Sequence, residues 1–190
     1  MLRKLSIPAL IALSAASCTA PAGQSWNPTL GVNRTVYTDY DGDSSGVSVD
    51  PGEVDYDLTG IDFGATRLEA MPGRDLKHRY LGLGLGFGEL EDSDIVEVTG
   101  GARYYFDKGG KVIPFIAAWA SYMDFEDLDG LDPQLGVRLG GGAEIPFNES
   151  TALVLGLDYL VPLVDAETES GPGEFEVDGL AARVGITFVF

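Results

Sequence analysis

The chain has little of what most enzymes and many binding proteins use. Its 190 residues include one cysteine, Cys18, and one histidine, His78. A single cysteine excludes an intramolecular disulfide. Lysine and arginine number 12 against 30 aspartates and glutamates, a formal net charge of −18. Nucleic-acid phosphates demand Lys and Arg, so this balance argues against nucleic acid as a partner. Beyond the N-terminal segment no apolar stretch is long enough to cross a bilayer as a helix, and no amphipathic helical stretch of convincing length is present. What the chain does have is 26 glycines and 10% aromatic residues, with turn signals at regular intervals. That composition points to all-β structure.

The N-terminus reads as an export signal. Arg3 and Lys4 form a positive start, and residues 5–16 are apolar, short and broken by Pro8, too short for a spanning helix. Two cleavage points fit. Ala15-Ala16-Ser17-Cys18 resembles a bacterial lipobox with Ala in place of the usual Leu, which would make Cys18 the lipidated first residue. Ordinary cleavage after Ala22 is the alternative. An acyl chain on Cys18 would give membrane affinity of its own. This divides the chain into a signal peptide at 1–17, a linker at 18–28 and a single domain at 29–190.

The C-terminal segment carries the strongest pattern. Leu180, Ala182, Val184, Ile186, Phe188 and Phe190 alternate with Ala181, Arg183, Gly185, Thr187 and Val189, a period-two strand with one apolar face. It ends on an aromatic and resembles the C-terminal recognition strand of bacterial outer-membrane barrels. That resemblance makes Phe188 and Phe190 the assembly signal and the barrel-assembly machinery an expected partner. Alternation predicts eight strands, near 29–37, 55–67, 78–88, 95–106, 112–122, 134–145, 151–162 and 176–190. Most have the ten or so residues that a tilted membrane strand needs. Gly60 is a candidate bulge in the second.

The connections fall into two alternating classes. Those at 38–54, 89–94, 123–133 and 163–175 hold 18 acidic residues and no Lys or Arg. Those at 68–77, 107–111 and 146–150 hold four acidic and four basic residues. Alternate connections of an up-and-down barrel lie at opposite ends. One rim is therefore acidic and faces outward from the cell, and the other is near neutral.

The less hydrophobic parity decides which way the barrel faces. In the third strand it is Tyr80, Gly82, Gly84, Gly86 and Gly88, against Leu81, Leu83, Leu85 and Phe87. Water-facing strands seldom carry runs of glycine, whereas a narrow lumen must fit small residues around a few large ones. Arg103, Arg138 and Arg183 fall on the same sparse parity. On a lipid face each would cost roughly 2–4 kcal/mol at mid-membrane. In the lumen they can pair with Glu97, Glu144, Asp158 or Asp62, the partners that buried charge requires. Aromatic residues collect in two bands, with Tyr104, Phe106, Phe115, Phe147 and Phe190 at the inner boundary. Tyr56, Phe87, Trp119, Tyr122, Tyr159 and Phe175 form the outer band, as in aromatic girdles.

On the strand pattern, the Lys111-Val-Ile-Pro-Phe115 strand opening and the Gly185-Ile-Thr-Phe-Val-Phe190 ending, the chain resembles the small eight-stranded outer-membrane barrels of the OmpA and OmpX type. The resemblance implies an all-β fold, an eight-stranded antiparallel up-and-down transmembrane barrel in outer-membrane lipid. A lipidated Cys18 would depart from that type and leaves open a lipid-anchored periplasmic barrel binding a small apolar ligand.

The residues for chemistry are sparse. His78 could serve a lipid-modifying enzyme only beside a Ser or an acid, and of Ser93, Ser121, Ser150 and Ser170 only Ser150 shares its expected rim, with no motif joining them. Asp41, Asp43 and Ser45 resemble the opening of a calcium loop, but Gly52 stands where a bidentate Glu belongs. Loose attraction of divalent cations to the acidic rim is the weaker expectation. The glycines at 82–88 and 140–142 lie within strand patterns and are not phosphate loops. The expected role is structural or surface-interacting, non-enzymatic and without a cofactor.

Overall fold

The computed structural model describes residues 24–38, 56–71, 74–90, 93–125, 133–164, 166–167, 174–175 and 179–190. Eight strands close on themselves: β1 (Gln24–Thr38), β2 (Tyr56–Met71), β3 (Arg74–Leu90), β4 (Ser93–Tyr105), β5 (Ile113–Phe125), β6 (Gln134–Pro146), β7 (Thr151–Val164) and β8 (Gly179–Val189). Each pairs antiparallel with the next, and β8 returns to β1. A two-residue ladder joins Ala166–Glu167 to Glu174–Phe175. No helix occurs among the described residues.

The register fixes the shape. A path through paired residues runs Trp26, Arg67, Arg79, Tyr104, Ile116, Gly141, Leu157 and Ala182, and re-enters β1 at Val36, ten residues beyond its start. Ten residues of shear over eight strands require a strand tilt of about 40° and a backbone radius of about 8 Å. A cylinder that narrow is filled by its own side chains.

The faces are inverted relative to a soluble barrel. Val32, Phe63, Leu81, Leu83, Leu139, Leu155, Leu157, Val184 and Ile186 point outward and are exposed. The lumen holds Asp62, Glu97, Arg103, Arg138, Glu144, Asp158 and Arg183, all buried. In water the outer band would be an apolar patch far larger than soluble monomers tolerate. In hydrocarbon it is the surface a spanning barrel needs, with every strand edge paired.

Several details differ from the sequence expectations. The strand β1 begins at Gln24, so the sheet takes in part of the segment expected as a linker. The expected connection at 68–77 is sheet instead: β2 runs to Met71 and β3 starts at Arg74. Gly60 is not bulged. It pairs in register with Asn33 and Gly86. The bulge lies lower, where Arg67 faces Arg79 but Leu68 faces Lys77, leaving His78 as the extra residue. Phe115 and Trp119 are not girdle members, because both point into the lumen and are buried. Phe87, Tyr122 and Tyr159 are exposed at the end where β1 finishes, and Tyr104, Phe106, Phe147 and Phe190 at the opposite, lower end. The side chains of Tyr56 and Phe175 lie outside the described residues.

Candidate functional site

The lumen is stacked in layers. Towards the upper end, Tyr37, Leu58, Ile95, Met123, Leu160 and Ala181 form an apolar cap. Against it lies a knot centred on Glu97. The Tyr37 hydroxyl donates to Glu97 Oε1 at 3.0 Å and Ser121 Oγ donates to the same oxygen at 2.6 Å. Arg138 Nη1 donates to the Tyr37 oxygen at 2.6 Å and lies 3.2 Å from Glu97 Oε1. Arg138 is wholly buried, so bulk solvent does not screen this ion pair.

A second layer gathers on Asp62. Its Oδ2 accepts from Asn33 Nδ2 at 2.9 Å and stands 3.8 Å from Arg103 Nη2 and 3.9 Å from Arg183 Nη1. These ion pairs are long, and aromatic faces supplement them. The Arg103 guanidinium lies 4.8 Å from the Tyr80 ring centre, 5.3 Å from Phe115 and 5.3 Å from Trp119. Arg183 lies 5.4 Å from Trp119. Ring quadrupoles attract a desolvated cation by about 2 kcal/mol.

The third layer, at the lower end, joins Glu144 to Lys77 in a buried ion pair, with Tyr105 donating to Glu144 Oε2 at 2.9 Å. Asp158 is buried and feels Arg138 and Arg103 through space.

All seven residues expected in the interior, Arg103, Arg138, Arg183, Asp62, Glu97, Glu144 and Asp158, lie in the lumen, but the pairing differs from any simple Arg–carboxylate matching. Glu144 takes Lys77, and Asp62 serves two arginines. Lys77 had no place in the sequence expectation. With it the described lumen carries four cations, Lys77, Arg103, Arg138 and Arg183, and four anions, Asp62, Glu97, Glu144 and Asp158. Their formal charges cancel.

Glycine is required where neighbours crowd the wall. A Cβ at Gly142 would fall on the Leu155 carbonyl and within 2.8 Å of the Phe115 ring, whereas one at Gly156 would meet nothing nearer than 3.7 Å. Gly142→Val should therefore destabilise the barrel by about 3 kcal/mol, since a backbone carbonyl has nowhere to move. Gly156→Ala should be nearly neutral. Urea unfolding of barrels folded in lipid vesicles separates the two.

Among the described residues, the other sequence candidates, His78 and Ser150, are not gathered into a site. His78 lies at the lower end and meets Tyr104 edge-on, with ring centres 5.1 Å apart. A surface cavity of about 210 Å³ opens there, bordered by Glu69, Lys77, His78, Tyr105 and Asp107 among others. Ser150 caps the β6–β7 turn, its backbone N–H donating to Asn148 Oδ1 and its carbonyl accepting from Val189. Cys18, Asp41, Asp43, Ser45, most of the acidic connections and the cleavage region lie outside the described residues. Phe188 and Phe190 are exposed on the outer face, and the Phe190 amide donates to the Pro28 carbonyl at 3.0 Å. Three cations face outward that the strand pattern had left unassigned: Arg34, paired with Asp57 near the upper rim, and Arg67 and Arg79 near the lower one.

Known structures share this architecture. Neisserial surface protein A matches with a TM-score of 0.61 at 12% identity over 88% of this chain and 99% of that one. OprG from Pseudomonas aeruginosa matches with a TM-score of 0.52 at 14% identity, over 86% of this chain and 96% of that one. Outer membrane protein W of E. coli gives 0.50 at 14% identity over 86% and 98%. Fold, outward apolar band and these likenesses define the class: a small eight-stranded antiparallel β-barrel of the architecture seen in these outer-membrane proteins. No protein-family pattern matches the sequence, and no curated protein matches it.

Proposed function

We propose that the chain is an integral outer-membrane barrel with a structural or surface-interaction role, its lumen closed to solutes by its own side chains and its acidic connections turned outward. The observation that carries this is the charge-balanced lumen inside an exposed apolar wall. A void between Asp62, Glu97, Arg138 and Arg183 measures about 10 Å³, room for about one water. The same observation weighs against a lipid-anchored periplasmic barrel with an apolar ligand, because a lumen of ion pairs offers such a ligand neither space nor a suitable surface.

The role is non-catalytic in this proposal and needs no cofactor. Outer-membrane lipid surrounds the apolar band, and the barrel-assembly machinery reads the strand that ends in Phe188 and Phe190. Lipidation of Cys18 would add a second anchor, and divalent cations would gather loosely at the acidic rim.

Two measurements test the proposal together. Protein from the outer-membrane fraction should migrate differently on gels with and without boiling. Purified barrels in planar bilayers should give no sustained conductance. Recovery of a Cys18→Ala variant as a soluble periplasmic protein would overturn the first part, and stable open channels the second.

A further inference from the structure

On the outer face of the lower end, four cross-strand neighbours form one rung: Trp26 on β1, Arg67 on β2, Arg79 on β3 and Tyr104 on β4. Two arginines stand directly opposite each other between two aromatics. Like charges in that relation repel. Among the described residues neither arginine has an ion pair, and Glu69, two residues below Arg67 on the same face, pairs with neither.

Of the 12 lysines and arginines, Arg3 and Lys4 belong to the signal segment, and Lys77, Arg103, Arg138 and Arg183 are held in the lumen. Arg34 is paired with Asp57. The others whose side chains are described, Arg67, Arg79, Lys108 and Lys111, all lie at the lower end between β2 and the β4–β5 turn. An otherwise acidic chain thus places its described cations without an ion pair on one side of one rim.

Depth and neighbours say what fits there. Trp and Tyr rings on a barrel wall settle at headgroup level, and here they bracket the pair. With a tilt near 40° the rung climbs about 3 Å per strand, so both guanidinium groups reach one headgroup layer. Directly above the pair, Ala65 and Ala102 flank Leu81, leaving a low, apolar path on the wall for an acyl chain. Two guanidinium forks side by side match the oxygens of a phosphate.

We infer that Arg67 and Arg79 bind the phosphate of an anionic glycerophospholipid in the inward-facing leaflet. This rests on the membrane-barrel proposal and adds a defined lipid site to it. An anion between the two guanidinium groups converts their repulsion into a bridge.

The test is native mass spectrometry of the folded mature barrel, released from bilayers holding equal amounts of phosphatidylglycerol and phosphatidylcholine. The wild-type barrel should retain phosphatidylglycerol over phosphatidylcholine by about tenfold. Arg67→Gln/Arg79→Gln should abolish the preference, and Lys108→Gln/Lys111→Gln, with the same loss of charge, should keep it. Inorganic phosphate should not displace the lipid. Equal retention of the two lipids by wild type would overturn the inference. So would a preference that survives in the arginine double variant, one lost equally in the lysine variant, or displacement by free phosphate. If the double variant does not fold, Arg79→Gln alone should still weaken the preference several-fold, and an unchanged preference there would overturn the inference. Gel migration with and without boiling, run on every sample, separates failure to form a barrel from a folded barrel without lipid preference.

Discussion

Replacing Arg138 by methionine should lower the stability of the folded barrel by about 3–5 kcal/mol, the usual cost of stranding one partner of a buried ion pair. Glu97 would keep its hydrogen bonds from Tyr37 and Ser121, but its charge would lose the only cation within 4.0 Å among the described residues. The double variant Arg138→Met/Glu97→Gln should recover most of the loss. A glutamine oxygen still accepts from Tyr37 and Ser121, and no charge remains to compensate. Urea titration in lipid vesicles, read through tryptophan fluorescence, measures both. A double variant as unstable as the single one would mean that Arg138 matters for the volume it fills.

Leu83→Arg should cost about 2–4 kcal/mol if the outer wall faces hydrocarbon. Leu83 is 43% exposed and lies mid-strand between Phe63 and Gly100. Thr59→Arg, on the same wall but nearer the upper rim, should cost roughly 0–1 kcal/mol, because an arginine there reaches the headgroups. A soluble barrel would respond the other way, with little penalty and better solubility for Leu83→Arg. The gradient between the two sites, measured by vesicle unfolding, identifies the surrounding medium without reference to any partner.

The strands most legible in the sequence were those whose two faces differ in kind. In β3 leucines alternate with glycines, and the pattern alone gives both the strand and its orientation. In β5 the inward set, Ile113, Phe115, Ala117, Trp119, Ser121 and Met123, is nearly as apolar as the outward one. Parity there carries no contrast, which is why Phe115 and Trp119 read as girdle residues. The luminal arginines were legible because charge on the sparse parity has one affordable place. Lys77 was not, since the bulge at His78 shifts the parity of β3 below it and carries an odd-numbered residue inward. The lower end of the β2–β3 hairpin was hidden for a related reason. Its residues lose the apolar alternation while still pairing through backbone. The Pro72-Gly73 step, a common two-residue turn signal, was the available clue. Arg67 and Arg79 could be placed opposite each other only once the register was known.

The seam between β1 and β8 bears on how the barrel can come into being. Every other strand pair joins neighbours in the chain, but this one unites Thr29 with Val189 and Val36 with Ala182, the two extremes of the folded sequence. Until it forms, the molecule is a curled ribbon with two raw borders, each displaying rows of unpaired amide and carbonyl groups. Each such group costs several kcal/mol in hydrocarbon, so a ribbon lacking its final strand has no stable place in the bilayer core. In a bilayer, entry and closure of the ring would therefore be one event, and it requires β8 to be paired with β1.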